Sequence, residues 1–189
     1  MQTILFFGDS LTAGYGLRSA SDESLPALIQ QKIHAAGMTA KVVNAGISGD
    51  TTSGGLARID RVLNQPVDIF VLELGINDAF RNISPQISLK NLQAIIDKVK
   101  AKYPKVKLAL LGMEIPIFLR GDLAEEFRAI FRQLAAVNNM AFVPFMLSGV
   151  AGKKHLNLAD RLHPSAEGYK IIADNVWPVI KSLVLSNES

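Results

Sequence analysis

Short runs of Val, Ile, Leu and Phe recur along the chain, and each is followed by a longer segment with helical spacing. The runs cover residues 3–7, 40–43, 67–72, 106–111 and 141–143. Apart from Lys41, Asp68 and Lys107 near their starts they read as continuous apolar stretches rather than alternating ones, as strands covered on both faces do. Helical patterns fall near residues 23–36, 55–63, 86–102 and 123–138, and a last one runs from 165 to about 184 with Pro178 as a candidate bend. Strands separated by helices pair in parallel through right-handed crossovers. The expectation is an α/β fold: three layers, α/β/α, around a five-stranded parallel sheet wound in both directions. A length of 189 residues suits one domain over residues 1–189, and 49% hydrophobic against 20% charged residues can fill a core.

In such a sheet, ligands and reactive groups gather at the carboxyl ends of the strands. Polar residues and glycines stand at those ends here. Gly8-Asp9-Ser10 follows the first run, Asn44 to Thr51 the second, and Glu73 to Asp78 the third. Asp160-Arg161-Leu162-His163-Pro164 precedes the last helix.

Ser10 is the candidate nucleophile, although Gly-Asp-Ser is also ordinary turn and helix-cap chemistry, and a phosphate-binding first turn is a further alternative. A serine hydroxyl needs a base. Of three histidines, His34 sits in a polar helical stretch and His155 in a lysine-flanked loop. His163 has an acid three residues upstream and a proline after it. Asp160 can reach one ring nitrogen across a turn, leaving the other for a hydroxyl; an incidental ion pair on a surface turn is the competing explanation. The backbone N–H groups of Ser10 and Gly49 and the side-chain amide of Asn77 are candidate oxyanion donors. Asn77 and the glycines are also common turn residues.

Gly8-Asp9-Ser10-Leu11, the turn holding Gly49, Gly75-Ile76-Asn77-Asp78 and Asp160-Arg161-Leu162-His163 together resemble, in order, the four blocks of the SGNH/GDSL hydrolase superfamily. The resemblance is nearest to the bacterial arylesterase and thioesterase I/lysophospholipase group. It implies a flavodoxin-like SGNH architecture, Ser10 as nucleophile, His163 as base, Asp160 as its orienter, and Ser10, Gly49 and Asn77 as the oxyanion hole. It also implies that the segment after Asn77 lines an acyl site. Asp9, Ile76, Phe80, Ile115 and Pro116 are the expected substrate contacts. Ile76 departs from the group, where many relatives have a second glycine, and that puts the acyl-chain preference in question. The apolar stretch 114–119 and Phe145-Met146-Leu147 read either as core or as acyl-chain wall, and for Ile115 and Ile117 core packing is the favoured reading.

The resulting expectation is a serine esterase acting on a small acyl ester or thioester, without a cofactor or metal. A carbohydrate acetylesterase on the same scaffold and a phosphate- or nucleotide-binding module are the alternatives. No Gly-x-Gly-x-x-Gly or P-loop pattern supports the latter. The net charge of +3 is spread out, and no apolar run is long enough to span a membrane, so neither nucleic acid nor stable membrane insertion is expected. Cysteine is absent, which removes disulfides and thiol chemistry. The residues leave monomer and dimer equally open. No leader is recognisable: the expectation is cytoplasmic as the chain stands, periplasmic or secreted if a leader has been removed.

Overall fold

The structure is a computed structural model that describes residues 1–113 and 121–186, with backbone only at 121 and 122. Five strands form one parallel sheet: β1 (Gln2–Gly8), β2 (Ala40–Gly46), β3 (Ile69–Glu73), β4 (Lys107–Leu111) and β5 (Ala141–Val143). Their order across the sheet is β2-β1-β3-β4-β5. The chain moves outward from β1 to β2 and then crosses back to β3. The direction of winding therefore reverses between β1 and β3, which opens a crevice at their carboxyl ends.

Among the described residues eight α-helices surround the sheet: α1 (Ser10–Ala13), α2 (Ala20–Glu23), α3 (Leu25–Ala35), α4 (Thr52–Val62), α5 (Ile76–Phe80), α6 (Pro85–Lys102), α7 (Gly121–Val137) and α8 (Ala166–Leu185). Helices α4, α6 and α7 pack on one face, where Leu5, Phe7, Phe70 and Leu72 meet Ile59, Ile95, Val99 and Phe127. Helices α3 and α8 cover the other, where Ile4, Phe6 and Val71 meet Ile29, Ile33, Ile172 and Val176. Each inner strand thus sends alternate residues into two dry layers, which explains the unbroken apolar runs.

The helix boundaries differ from the pattern reading in explicable ways. Ser24 accepts from the Ala27 N–H and divides the expected helix 23–36 into α2 and α3. Thr51 caps α4 through the Gly54 N–H and starts it before residue 55. Pro178 lies inside α8, which runs through it uninterrupted. Met146 is fully buried, and Leu147 packs against the same core, so these two belong to the packing.

Candidate active site

The turn that carries Ser10 grows directly out of β1. Asp9 caps α1, its Oδ1 accepting from the Leu11 N–H at 3.0 Å, and Ser10 becomes the first helical residue. A short polar cap after an apolar strand stops the ladder and points the next side chain out of the sheet edge. The loop between the end of β5 and α8 arrives from the other side. Leu156 closes a 3-10 turn, an isolated bridge joins Asn157 to Pro164, and the Leu158 N–H donates to the His163 carbonyl at 2.7 Å. Asp160 organises the tip of this loop: its Oδ1 accepts from the Leu162 and His163 N–H groups at 2.9 and 3.0 Å.

The two segments meet at His163. Its Nδ1 lies 2.7 Å from Asp160 Oδ2 and its Nε2 lies 2.9 Å from Ser10 Oγ. With Nδ1–H donating to the carboxylate, Nε2 is left as the acceptor for the serine hydroxyl. Burial disfavours ionising Asp160, but hydrogen bonds from the backbone and ring of His163 and from Leu162 outweigh it and hold the carboxyl below its ordinary value. Ser10 is only 6% exposed, yet its hydroxyl faces this partly open pair.

Among the described residues, the N–H groups of Ser10 and Gly49 donate to no protein acceptor. Asn77, the second residue of α5, sends its amide towards the same corner. Both of that amide's N–H groups are engaged, one by Asp9 Oδ2 at 3.1 Å and one by the Asp50 carbonyl at 2.9 Å. An oxyanion must therefore share or displace one of these bonds, and the longer bond to Asp9 is the weaker competitor.

Asp9 itself does not reach the surface. It is fully buried, with one oxygen on Leu11 and the other on Asn77, so the expectation that it contacts substrate is corrected. Its carboxyl at the start of α1 also adds negative charge where a phosphate would have to bind, which argues against a phosphate-binding first turn. Burial pushes the Asp9 carboxyl up to about 7; hydrogen bonds from Leu11 and Asn77 oppose the rise, and the charge of Asp50 adds to it. Beneath it lies Glu73, also fully buried, with Oε2 accepting from the Thr12 hydroxyl at 2.7 Å and Oε1 without a partner among the described residues. Burial and the neighbouring Asp9 hold Glu73 well above the usual carboxylate range. A protonated acid is the form that tolerates such a place.

Arg58 ties the strand ends together. It donates to Asp50 Oδ2 at 2.7 Å, to the Ala45 carbonyl at 2.9 Å and to the Gly8 carbonyl at 3.0 Å, and its guanidinium lies over the Phe7 ring. Arg81 donates to the Gly49 carbonyl at 2.9 Å. Asp78 takes both the N–H and the hydroxyl of Thr52, which joins α5 to the start of α4.

Residues 6–171 match the model of the GDSL-like lipase/acylhydrolase family. The chain belongs to that family. This acylhydrolase is 37% identical to the esterase TesA of Pseudomonas aeruginosa, over 97% of its own length and 90% of the relative's. It is 35% identical to the thioesterase 1/protease 1/lysophospholipase L1 of Escherichia coli, over 96% and 85% of the two chains. The arylesterase of Vibrio mimicus is 32% identical, over 93% and 86%. A crystal structure of TesA superposes with a TM-score of 0.90, covering 96% of this chain and 99% of that one. The psychrotrophic esterase EstA from Pseudoalteromonas gives 0.88, at 32% identity and with 96% and 98% covered. The three-layer fold and five-stranded parallel sheet are those of this family, and the chain is an ester hydrolase.

The other expected contacts divide. Phe80, at the end of α5, is 38% exposed, next to the Arg81 that holds Gly49. Ile76 is half-buried and packs against both apolar layers. Gly75 before it takes the positive φ of +129° that this turn needs, whereas Ile76 begins α5 at an ordinary φ, so its branched side chain fits without strain. Ile115 and Pro116 lie outside the described residues. His34 and His155 are exposed, with His34 bonded only to Gln30. Glu73 and Arg58, which pack under the strand ends, have no role in the sequence reading. An acid inside the run Ile69 to Leu74 was the available signal for Glu73. Among the described residues no group of His, Asp or Glu side chains is placed to hold a metal ion.

Proposed function

We propose that the chain cleaves carboxylic esters through an acyl-enzyme on Ser10. His163 Nε2 accepts the hydroxyl proton as Ser10 Oγ attacks the acyl carbon. Asp160 holds the ring with Nδ1–H on its carboxylate and offsets the positive charge that develops. The carbonyl oxygen becomes an oxyanion and is met by the Ser10 and Gly49 N–H groups, with Asn77 supplying a third donor. Collapse expels the alcohol or thiol, which takes the proton from Nε2. Water then repeats the sequence on the acyl-enzyme, and the carboxylic acid leaves.

The observation that carries this reading is the Asp160–His163–Ser10 chain, at 2.7 and 2.9 Å, beside two N–H groups that have no acceptor among the described residues. The relatives are named esterase, arylesterase and thioesterase 1/protease 1/lysophospholipase L1, names that span alcohol, phenol, thiol and glycerophosphodiester leaving groups. We place this chain in that range of acyl esters and thioesters.

The test is kcat/KM for nitrophenyl esters of increasing acyl length, with Ser10→Ala alongside. Turnover that vanishes in Ser10→Ala while the fold persists is the expected result. The chain length at the maximum distinguishes an acetyl-preferring from a medium-chain enzyme. Undiminished activity in Ser10→Ala overturns the assignment.

A further inference from the structure

The hydrogen bonds of Asp160 orient His163 within its own loop, but they do not set where that loop lies relative to Ser10. Asp160 and His163 are three residues apart, whereas Ser10 and His163 are 153 apart. The pair is also partly open to water, with Asp160 and His163 side chains 37% and 22% exposed. Registry between nucleophile and base must come from contacts that join the two segments.

The turn following Ser10 supplies two such contacts. The Tyr15 N–H donates to the Ser10 carbonyl at 3.1 Å, so the chain doubles back over the residue that carries the hydroxyl. There the Tyr15 ring rests on the imidazole of His163, with centroids 4.6 Å apart and planes inclined by 47°. One residue later, Gly16 has a φ of +76°, and a Cβ there would stand 2.4 Å from Leu158 Cδ1. The glycine is thus a notch for Leu158, whose N–H binds the His163 carbonyl. Tyr15 is 51% exposed and buries little itself, so core packing does not account for the ring being there.

We propose that Tyr15 is a positioning residue for His163: its ring forms one wall of the imidazole's seat and keeps Nε2 on the Ser10 hydroxyl, while Gly16 receives Leu158 and docks the rest of the loop. This rests on the reading of Ser10 and His163 as nucleophile and base. An aromatic face also favours a positively charged ring, so the same contact assists the step in which His163 holds the serine proton.

The experiment compares Tyr15→Leu and Tyr15→Phe with the unaltered chain and with Ser10→Ala. Nitrophenyl acetate is the substrate, chosen because its acyl group is too short to reach Tyr15 through a chain. The second readout is the rate of covalent inactivation by a nitrophenyl phosphonate, which reports attack by Ser10 without turnover. In Tyr15→Leu, kcat and the inactivation rate are expected to fall together by roughly three- to tenfold, with KM little changed. Tyr15→Phe keeps the ring and is expected to recover most of the loss. A Tyr15→Leu variant that matches the unaltered rates overturns the proposal, as does one that raises KM alone, which marks a substrate contact. Equal losses in Phe and Leu also overturn it, because the hydroxyl rather than the ring is then responsible. Melting temperatures, expected to stay close together at this half-exposed position, separate misfolding from misplacement. If Ser10→Ala turns over substrate, the underlying reading fails; if Ser10→Ala is inactive and Tyr15→Leu unimpaired, only the role of Tyr15 fails.

Discussion

Asn77 donates one amide hydrogen to the buried carboxylate of Asp9 at 3.1 Å, across 68 residues of sequence. The bond ties the turn after β3 to the turn after β1, so the proposed third oxyanion donor is oriented by the residue that precedes the proposed nucleophile. It also means that the donor is occupied before substrate arrives.

Asn77→Ala is expected to lower kcat by roughly two to three orders of magnitude with a smaller change in KM, because the donor matters most when charge is on the oxygen. Steady-state kinetics on one nitrophenyl ester checks this. An effect confined to KM shows that Asn77 only positions the ground state.

Asp160→Asn keeps the loop's shape but loses the carboxylate that fixes the tautomer of His163. A drop in kcat of roughly one to three orders of magnitude is expected, the lower part of the range because water reaches this half-open pair. His155→Ala, on the exposed 3-10 turn, is the control and leaves kcat where it was. A large loss there reassigns the base.

The acids under the nucleophile set a pH dependence of stability. Asp9 ionises near 7 in the folded chain against 3.8 ordinarily, so between those values the folded state keeps a proton that the unfolded state has lost. The stabilisation is complete below the unfolded value and disappears as pH rises through the folded one, at most about 1.4 kcal/mol per pH unit for each such proton. Glu73 acts in the same direction. The melting temperature is expected to fall between about pH 5 and pH 8, and to fall less steeply in Glu73→Gln. Thermal unfolding across that range is the measurement, and parallel curves for the two proteins contradict it.

Gly75→Ala places a Cβ at a φ of +129° and 3.2 Å from Phe131 Cζ. A loss of about 1–3 kcal/mol in denaturant unfolding is expected, together with impaired activity, since α5 and Asn77 begin at this turn. Ile76→Gly relieves no positive φ and is expected to lose stability by exposing both layers it touches.

Much of this was legible along the chain. The apolar runs at 4–7 and 69–72 predicted strands covered on both faces because that burial is written into each residue's side chain. Ser10, Asn77 and the Asp160–His163 pair stood out because they fall in polar blocks in one order along the chain, whereas each block by itself is also ordinary turn chemistry. Their chemistry and local order are one-dimensional properties.

What the sequence determined by itself is the order of elements, the two-sided sheet, and which residues carry reactive groups. What only the tertiary structure decided is which way those groups face. Asp9 and Ser10 are neighbours in one turn, yet one carboxylate is sealed inside and one hydroxyl meets His163. Tyr15, Arg58 and Glu73 acquire their places from partners that are 148, 50 and 61 residues away or from several strand ends at once. Such contacts exist only after helices have packed on both faces and brought the strand ends to one edge, and no local pattern encodes a direction that distant packing sets.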